Sequence, residues 1–270
     1  MVQWAAEKFC VKWKERIILK LLIVRHGDPD YEIDSLTEKG WREAEFLSRR
    51  LAEMEIKAFY VSPLGRARDT ASLTLKNLGR TATEYPWLRE FDAPIHRPDV
   101  TGWEKVCWDG LPQDWTDEER YFLPDAWSGT EIMREGNVGR EYAWVAENLD
   151  ALLESHGYKR QGRRYEAVRP NNDAIVFFCH FGVECVMLSH LLNISPMALW
   201  HGTCAAPTSV TTVVTEERRR GTAYFRMSAF AIRPICTSTG SRRPFRPGSG
   251  SAMTTSGREE TEKSRRERRG

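Results

Sequence analysis

Four short stretches of this chain carry residue types able to move a phosphoryl group. Arg25-His26-Gly27 closes an apolar run from Ile17 to Val24, and His180-Phe181-Gly182 closes a second, Asn172 to Cys179. Arg66 stands in SPLGRARDTA and Glu90 in WLREFD. Each arginine offers a permanently charged fork of donors that fits a phosphate bidentately. A neutral histidine can attack phosphorus, and a nearby carboxylic acid can protonate the departing oxygen. RHG alone is a common tripeptide. The set together is the parts list of phosphoryl transfer through a phosphohistidine.

For these residues to meet, several strands must end side by side. Both apolar runs are of strand length and continuous rather than alternating, which is how strands covered on both faces read. In an open α/β sheet, ligands bind where strands end at their carboxyl edge. Lys57 to Val61 reads as another strand, ended by Ser62-Pro63. Pro63 suits the first turn of a helix bearing Leu64, Ala67, Ala71 and Leu75, which Gly79 stops. Starts of helices after Pro63 and His180 would add backbone donors for an anion. Thr37 reads as the cap of a helix with Trp41, Ala44, Leu47 and Leu51 on one face. A strand-like TATEYPWL leads to Glu90, for which Glu84 or Asp92 could substitute. Glu141 to Ser155 reads as a helix burying Trp144, Val145, Leu149, Leu152 and Leu153, and Val183 to Leu192 as the helix after His180. Thr208–Val214 and Ala223–Ala229 are two further strands joined by EERRRG.

This alternation predicts an α/β fold: a doubly wound, mostly parallel sheet with helices on both faces. Residues 1–16 form an N-terminal extension and 17–232 the domain. Within it, about 92–139 contains Trp103, Trp108, Trp115 and Trp127, with prolines and no long period. We read an inserted Trp-rich cap over the carboxyl edge; aromatic stapling of a structural excursion is the plainer alternative. Residues 233–270 are Ser, Gly, Pro and Arg with almost no aliphatic side chains, so disorder is expected. The abrupt change there also fits translation from a shifted frame, which re-reading the gene would decide.

From Arg233 onward ten basic residues face four acidic ones, leaving the preceding body with 30 basic and 34 acidic residues. A mildly acidic body gives nucleic-acid binding no electrostatic support. Six cysteines show no CxxC pair, which fits a reducing, cytoplasmic setting. The run at Ile17–Val24 is too short to span a bilayer and lacks a cleavage site, so neither membrane nor signal peptide is expected.

With these motifs in view, the chain resembles the histidine phosphatase, or phosphoglycerate-mutase-like, superfamily over roughly Leu21 to Ala229. LIVRHGDP resembles the opening motif, LTEKGWREAE the first helix, SPLGRARDTA the second-arginine motif, WLREFD the acid motif and FFCHFGVECVMLSHLL the second-histidine motif. The resemblance implies His26 as the phosphorylated nucleophile. It implies Arg25, Arg66 and His180 around the phosphoryl oxygens and Glu90 as proton donor, with no metal and no cofactor. The partner would be a small-molecule phosphomonoester. His96, His156, His190 and His201 read as structural.

The stretch DPDYEIDSLTEKG after RHG is shorter and more acidic than in glycolytic mutases, and their asparagine and Thr-Gly segment are absent. That favours a metal-independent phosphomonoesterase. The rivals are a phosphoglycerate-type mutase and a protein that binds a phosphorylated ligand without turnover.

Overall fold

A computed structural model describes residues 17–97, 99, 105–218 and 221–233. The N-terminal extension, Trp103, and the tail beyond Arg233 lie outside the described residues. The strands are β1 (Lys20–Arg25), β2 (Pro29–Asp30), β3 (Ser35–Leu36), β4 (Ala58–Val61), β5 (Thr83–Glu84), β6 (Pro94–Ile95), β7 (Lys105–Val106), β8 (Tyr158–Gln161), β9 (Arg164–Ala167), β10 (Ala174–Cys179), β11 (Val210–Arg218) and β12 (Thr222–Ile232). Eight of them form one sheet in the order β5-β4-β10-β1-β11-β12-β9-β8, while β2–β3 and β6–β7 make two small pairs.

The α/β class holds, and the sheet is mixed. β5, β4, β10 and β1 are mutually parallel, whereas β11 pairs antiparallel with β1, and β12, β9 and β8 continue antiparallel. By direction only β9 and β11 oppose β1, so the sheet is mostly parallel in orientation but not in its pairings. The cause is local: β8–β9 and β11–β12 are hairpins, and a hairpin joins antiparallel neighbours.

Helices cover both faces. Leu22 and Val24 of β1 pack with Leu47 and Leu51 of the Glu38–Ala52 helix and Ala71 of the Gly65–Leu78 helix. Leu21 and Ile23, on the opposite face, pack with the Val138–Ser155 and Phe181–Leu192 helices. A strand buried on both sides has no polar face to offer, which is why its sequence does not alternate.

Several local readings need correcting. Trp41 and Trp144 are exposed, not buried, because their helices turn Glu43 and Ser48, and Val138 and Ala146, inward instead. Pro63 precedes the helix rather than starting it: Leu64 has extended backbone as the N-cap, and the helix begins at Gly65. TATEYPWL is strand only at Thr83–Glu84 and then turns through a 3-10 helix, Pro86–Leu88. Glu90 therefore follows a tight turn and not a strand end. Thr37 caps as expected, its hydroxyl accepting from Gly40 N at 3.1 Å. Gly79 stops its helix in the left-handed region at φ 61.

The segment 92–139 contributes short pieces: β6–β7, the Pro112–Thr116 and Glu131–Glu135 helices, and 3-10 turns at Glu119–Phe122 and Trp127–Gly129. Trp127 is buried edge-on against Trp200 and Tyr142, and Trp115 lies over His201. Those two tryptophans act as packing staples. Among the described residues no helix is long and apolar enough to cross a membrane. Cys107, Cys179 and Cys185 are free and buried, and Cys204 is free and exposed.

Candidate active site

Register builds the site. Arg25 pairs with Cys179, and Phe178 with Val61, so β1, β10 and β4 finish at nearly one level. The next residues, His26, His180 and Ser62, therefore stand side by side. The two imidazole rings lie 5.1 Å apart, tilted by 55°.

His26 is 2% exposed. Its main chain is pinned from both sides: His26 N donates to Cys179 O at 3.1 Å, and Thr208 N donates to the Arg25 and His26 carbonyls. Gly27 N donates to Thr70 Oγ1, which donates to Arg66 O, tying this turn to the second arginine. His26 Nδ1 lies 2.7 Å from Gly27 O. A carbonyl only accepts, so Nδ1 carries the proton and Nε2 keeps its lone pair. Burial first, then Arg25 and Arg66, push the His26 pKa down to about 3, against the Gly27 carbonyl and Asp34, which raise it. Burial and the two guanidinium groups thus favour the neutral ring.

His180 is fully buried, and its Nε2 lies 2.7 Å from Ser62 Oγ, which also accepts from Leu64 N. Its Nδ1 has no hydrogen-bond partner among the described residues. Burial, then His26, Arg66 and Arg25, hold its pKa well below the ordinary imidazole value.

The arginines share one mode of attachment. Arg25 donates through Nη1 to Ala205 O, and Arg66 through Nη1 to Asp34 Oδ1 at 2.5 Å. In both, Nε is buried with no partner among the described residues. Anchoring at Nη1 leaves the Nε–Nη2 edge, the edge that clasps two oxygens of a phosphate side-on. A buried, unpaired guanidinium nitrogen is costly unless a ligand completes it.

Glu90 Oε1 accepts from Phe91 N at 2.9 Å and from Gly182 N at 2.8 Å, the latter in the first turn of the Phe181–Leu192 helix. Burial raises its pKa, with those two amides and Arg25 and Arg66 opposing. Gly182 is required here: a Cβ on it would lie 2.6 Å from Glu90 Oε1 and 2.8 Å from Trp108 Nε1. Of the alternatives, Glu84 pairs with Arg68, and Asp92 with Arg89. Trp108 borders the site, donating to Phe91 O and meeting Phe181 edge-on at 6.3 Å.

Two carboxylates that the sequence did not single out also belong to this neighbourhood. Asp34 holds Arg66. Glu184, 1% exposed in the Phe181–Leu192 helix, makes no well-formed hydrogen bond through either oxygen among the described residues. Burial pushes its pKa up to about 7, with Thr211 and Arg25 favouring its ionised form and Glu90 disfavouring it. Three of the other histidines have structural partners: His156 meets Tyr60 Oη, His190 meets Asp150, and His201 Nδ1 donates to Met197 O. Among the described residues no three His, Cys, Asp or Glu side chains cluster as a metal site.

The family model of the histidine phosphatase superfamily (branch 1) matches residues 21–226, and the chain belongs to that superfamily. A 2,3-bisphosphoglycerate-dependent phosphoglycerate mutase of Thermoplasma acidophilum is 39% identical over 62 residues, 19% of this chain and 31% of that protein. The mitochondrial serine/threonine-protein phosphatase Pgam5 of Caenorhabditis elegans is 35% identical over 92 residues, 32% of either chain. These matches span under a third of each relative. Among solved structures, a phosphoserine phosphatase from Entamoeba histolytica with 3-phosphoglyceric acid is similar at TM-score 0.52 and 19% identity, covering 79% of this chain and 97% of that one. A mycobacterial glucosyl-3-phosphoglycerate phosphatase is similar at TM-score 0.51 and 20% identity, covering 79% and 99%. At such identities the likeness is one of fold.

Proposed function

We propose that this protein is a phosphomonoesterase that hydrolyses a small phosphorylated metabolite through a phosphohistidine on His26, without a metal. The observation that carries this reading is the set of unsatisfied groups around His26: Arg25 Nε, Arg66 Nε and His180 Nδ1, all buried and aimed at no protein partner among the described residues. His26 Nε2 forms the N–P bond as the ester P–O bond breaks. Glu90, whose protonated form burial favours, passes its proton to the departing oxygen. It then takes a proton from the water that cleaves the N–P bond and releases phosphate. The arginines hold the equatorial oxygens as charge spreads over them. With Ser62 Oγ already accepting from Leu64 N, its own proton can go to His180 Nε2, which leaves His180 Nδ1–H as a third donor. We propose that the 92–139 segment acts as a cap, with Trp108 bordering the site through Phe91 and Phe181.

The similarity to a phosphoglycerate mutase favours a second reading, transfer back to an organic acceptor. One assay separates them: hydrolysis of a generic aryl phosphate in excess chelator, with His26→Ala alongside. Turnover that survives chelation and vanishes in the variant supports hydrolysis through His26. Turnover abolished by chelator contradicts the metal-free route. Activity seen only with a bisphosphate primer and an acceptor points to the mutase.

A further inference from the structure

The β2–β3 pair carries a four-residue loop, Tyr31 to Asp34, pressed onto the start of the Gly65–Leu78 helix. Contact is so close that a Cβ on Gly65 would sit 2.0 Å from the Asp34 carbonyl oxygen. Asp34 itself has φ 48, a left-handed conformation costly for a residue with a Cβ, though aspartate tolerates it better than most. Strain of this kind persists only where surrounding contacts enforce it. Here the enforcing contacts are both polar and both at the phosphate end of the site. Asp34 Oδ2 accepts from Gly65 N at 2.6 Å, and Oδ1 accepts from Arg66 Nη1 at 2.5 Å. Arg66 is 12% exposed and Asp34 42% exposed. A side chain that nearly buried, with a long flexible stem, needs an anchor to present one chosen edge.

We propose that Asp34 is a positioning residue for the phosphoryl site, holding Arg66 by Nη1 so that its Nε–Nη2 edge faces the oxygens over His26. The proposal rests on the phosphohistidine reading above and assigns the acidic loop after RHG a part in it. Charge counting alone gives the opposite expectation: removing a carboxylate from an anion site should tighten phosphate. The half-exposed carboxylate is screened by water, whereas a misdirected guanidinium forfeits two charge-assisted hydrogen bonds. Orientation therefore outweighs charge. Arg25 achieves the same with a neutral anchor, the Ala205 carbonyl, which shows that the geometry and not the anchor's charge is what the two share.

The test uses the full chain and inorganic phosphate as probe, so that it does not depend on turnover. Asp34→Asn and Asp34→Gly are compared with the wild type by calorimetry, the glycine variant relieving the strained backbone so that any loss traces to the carboxylate. Asp34→Gly should weaken phosphate by about tenfold, the order expected for lost hydrogen bonds to a charged group, and raise KM for an aryl phosphate more than it lowers kcat. Asp34→Asn, which keeps one oxygen to accept from Arg66 or Gly65 but not both, should weaken it less. In an Arg66→Ala background, adding Asp34→Asn should change phosphate affinity less than twofold, because neighbours acting through one another are not additive. Unchanged or tighter phosphate binding by the single variants overturns the proposal, as does a full loss that persists without Arg66. A wild type that binds no phosphate overturns the site reading itself.

Discussion

His26 should not titrate between pH 5 and 8. Its pKa of about 3 against 6.5 for a free imidazole corresponds to roughly 5 kcal/mol disfavouring the imidazolium. The causes can be ordered: the ring is nearly inaccessible, and the Arg25 and Arg66 guanidinium groups add repulsion that the Gly27 carbonyl only partly offsets. At pH 5 an ordinary histidine would be about 97% protonated, whereas His26 should be about 1% protonated. The proposed nucleophile thus stays competent well into acid. The stability it contributes by staying neutral is fully present above pH 6.5 and is lost as pH falls toward 3. Labelling the histidine ring carbons and following their NMR shifts from pH 8 to 4 reads this directly, with His26→Ala assigning the resonance. A flat His26 signal is expected, and bound phosphate should raise its midpoint by placing an anion beside the ring. A midpoint between 6 and 7 in the empty protein would refute the reasoning, since it would mean that the ring is hydrated and the arginines point elsewhere.

Gly182→Ala places a methyl group 2.6 Å from Glu90 Oε1 and so pushes that carboxyl aside; kcat should fall at least tenfold with the fold retained by circular dichroism, and an unaffected kcat would show that Glu90 is not the acid. Glu184, whose pKa is raised from 4.5 to about 7, should destabilise the fold as pH rises through that window, by about 3 kcal/mol in total. By urea unfolding the wild type should lose about 3 kcal/mol of stability relative to Glu184→Gln between pH 5 and pH 8, a difference in which the opposite His26 contribution cancels; no such difference would contradict the burial. Thr37→Ala removes the cap on Gly40 N and should cost about 1 kcal/mol in the same assay without changing phosphate affinity.

How much of this was legible beforehand follows from what each residue responds to. β1 and β10 could be read because a strand covered on both faces has an unbroken apolar run, and their ends fixed the neighbourhood of His26 and His180. β8 and β9, YKRQGRRYEA, could not: only Tyr158, Tyr165 and Ala167 turn inward, and the polar remainder reads as loop. Their hairpin, with β11–β12, supplies two of the four antiparallel pairings in the eight-stranded sheet. Glu184 was invisible for another reason. An acid in the first turn of a helix is ordinarily a solvated complement to the helix dipole, and only tertiary packing puts this one under the site. Asp34 was likewise lost in an acidic loop, because the partner it holds is 32 residues away. Trp41 and Trp144 were assigned to buried faces on spacing alone, though a large amphipathic ring lies readily at a boundary.

The central claim is that the phosphoryl group passes through His26, and trapping the intermediate tests it most directly. The protein is mixed briefly with an excess of aryl phosphate, quenched in alkali, where a P–N bond to histidine endures, and digested for mass spectrometry. The account predicts one phosphoryl group on the peptide containing His26, lost on acidification and absent in His26→Ala. A phosphoryl group on any other residue, or undiminished turnover in His26→Ala, would contradict it.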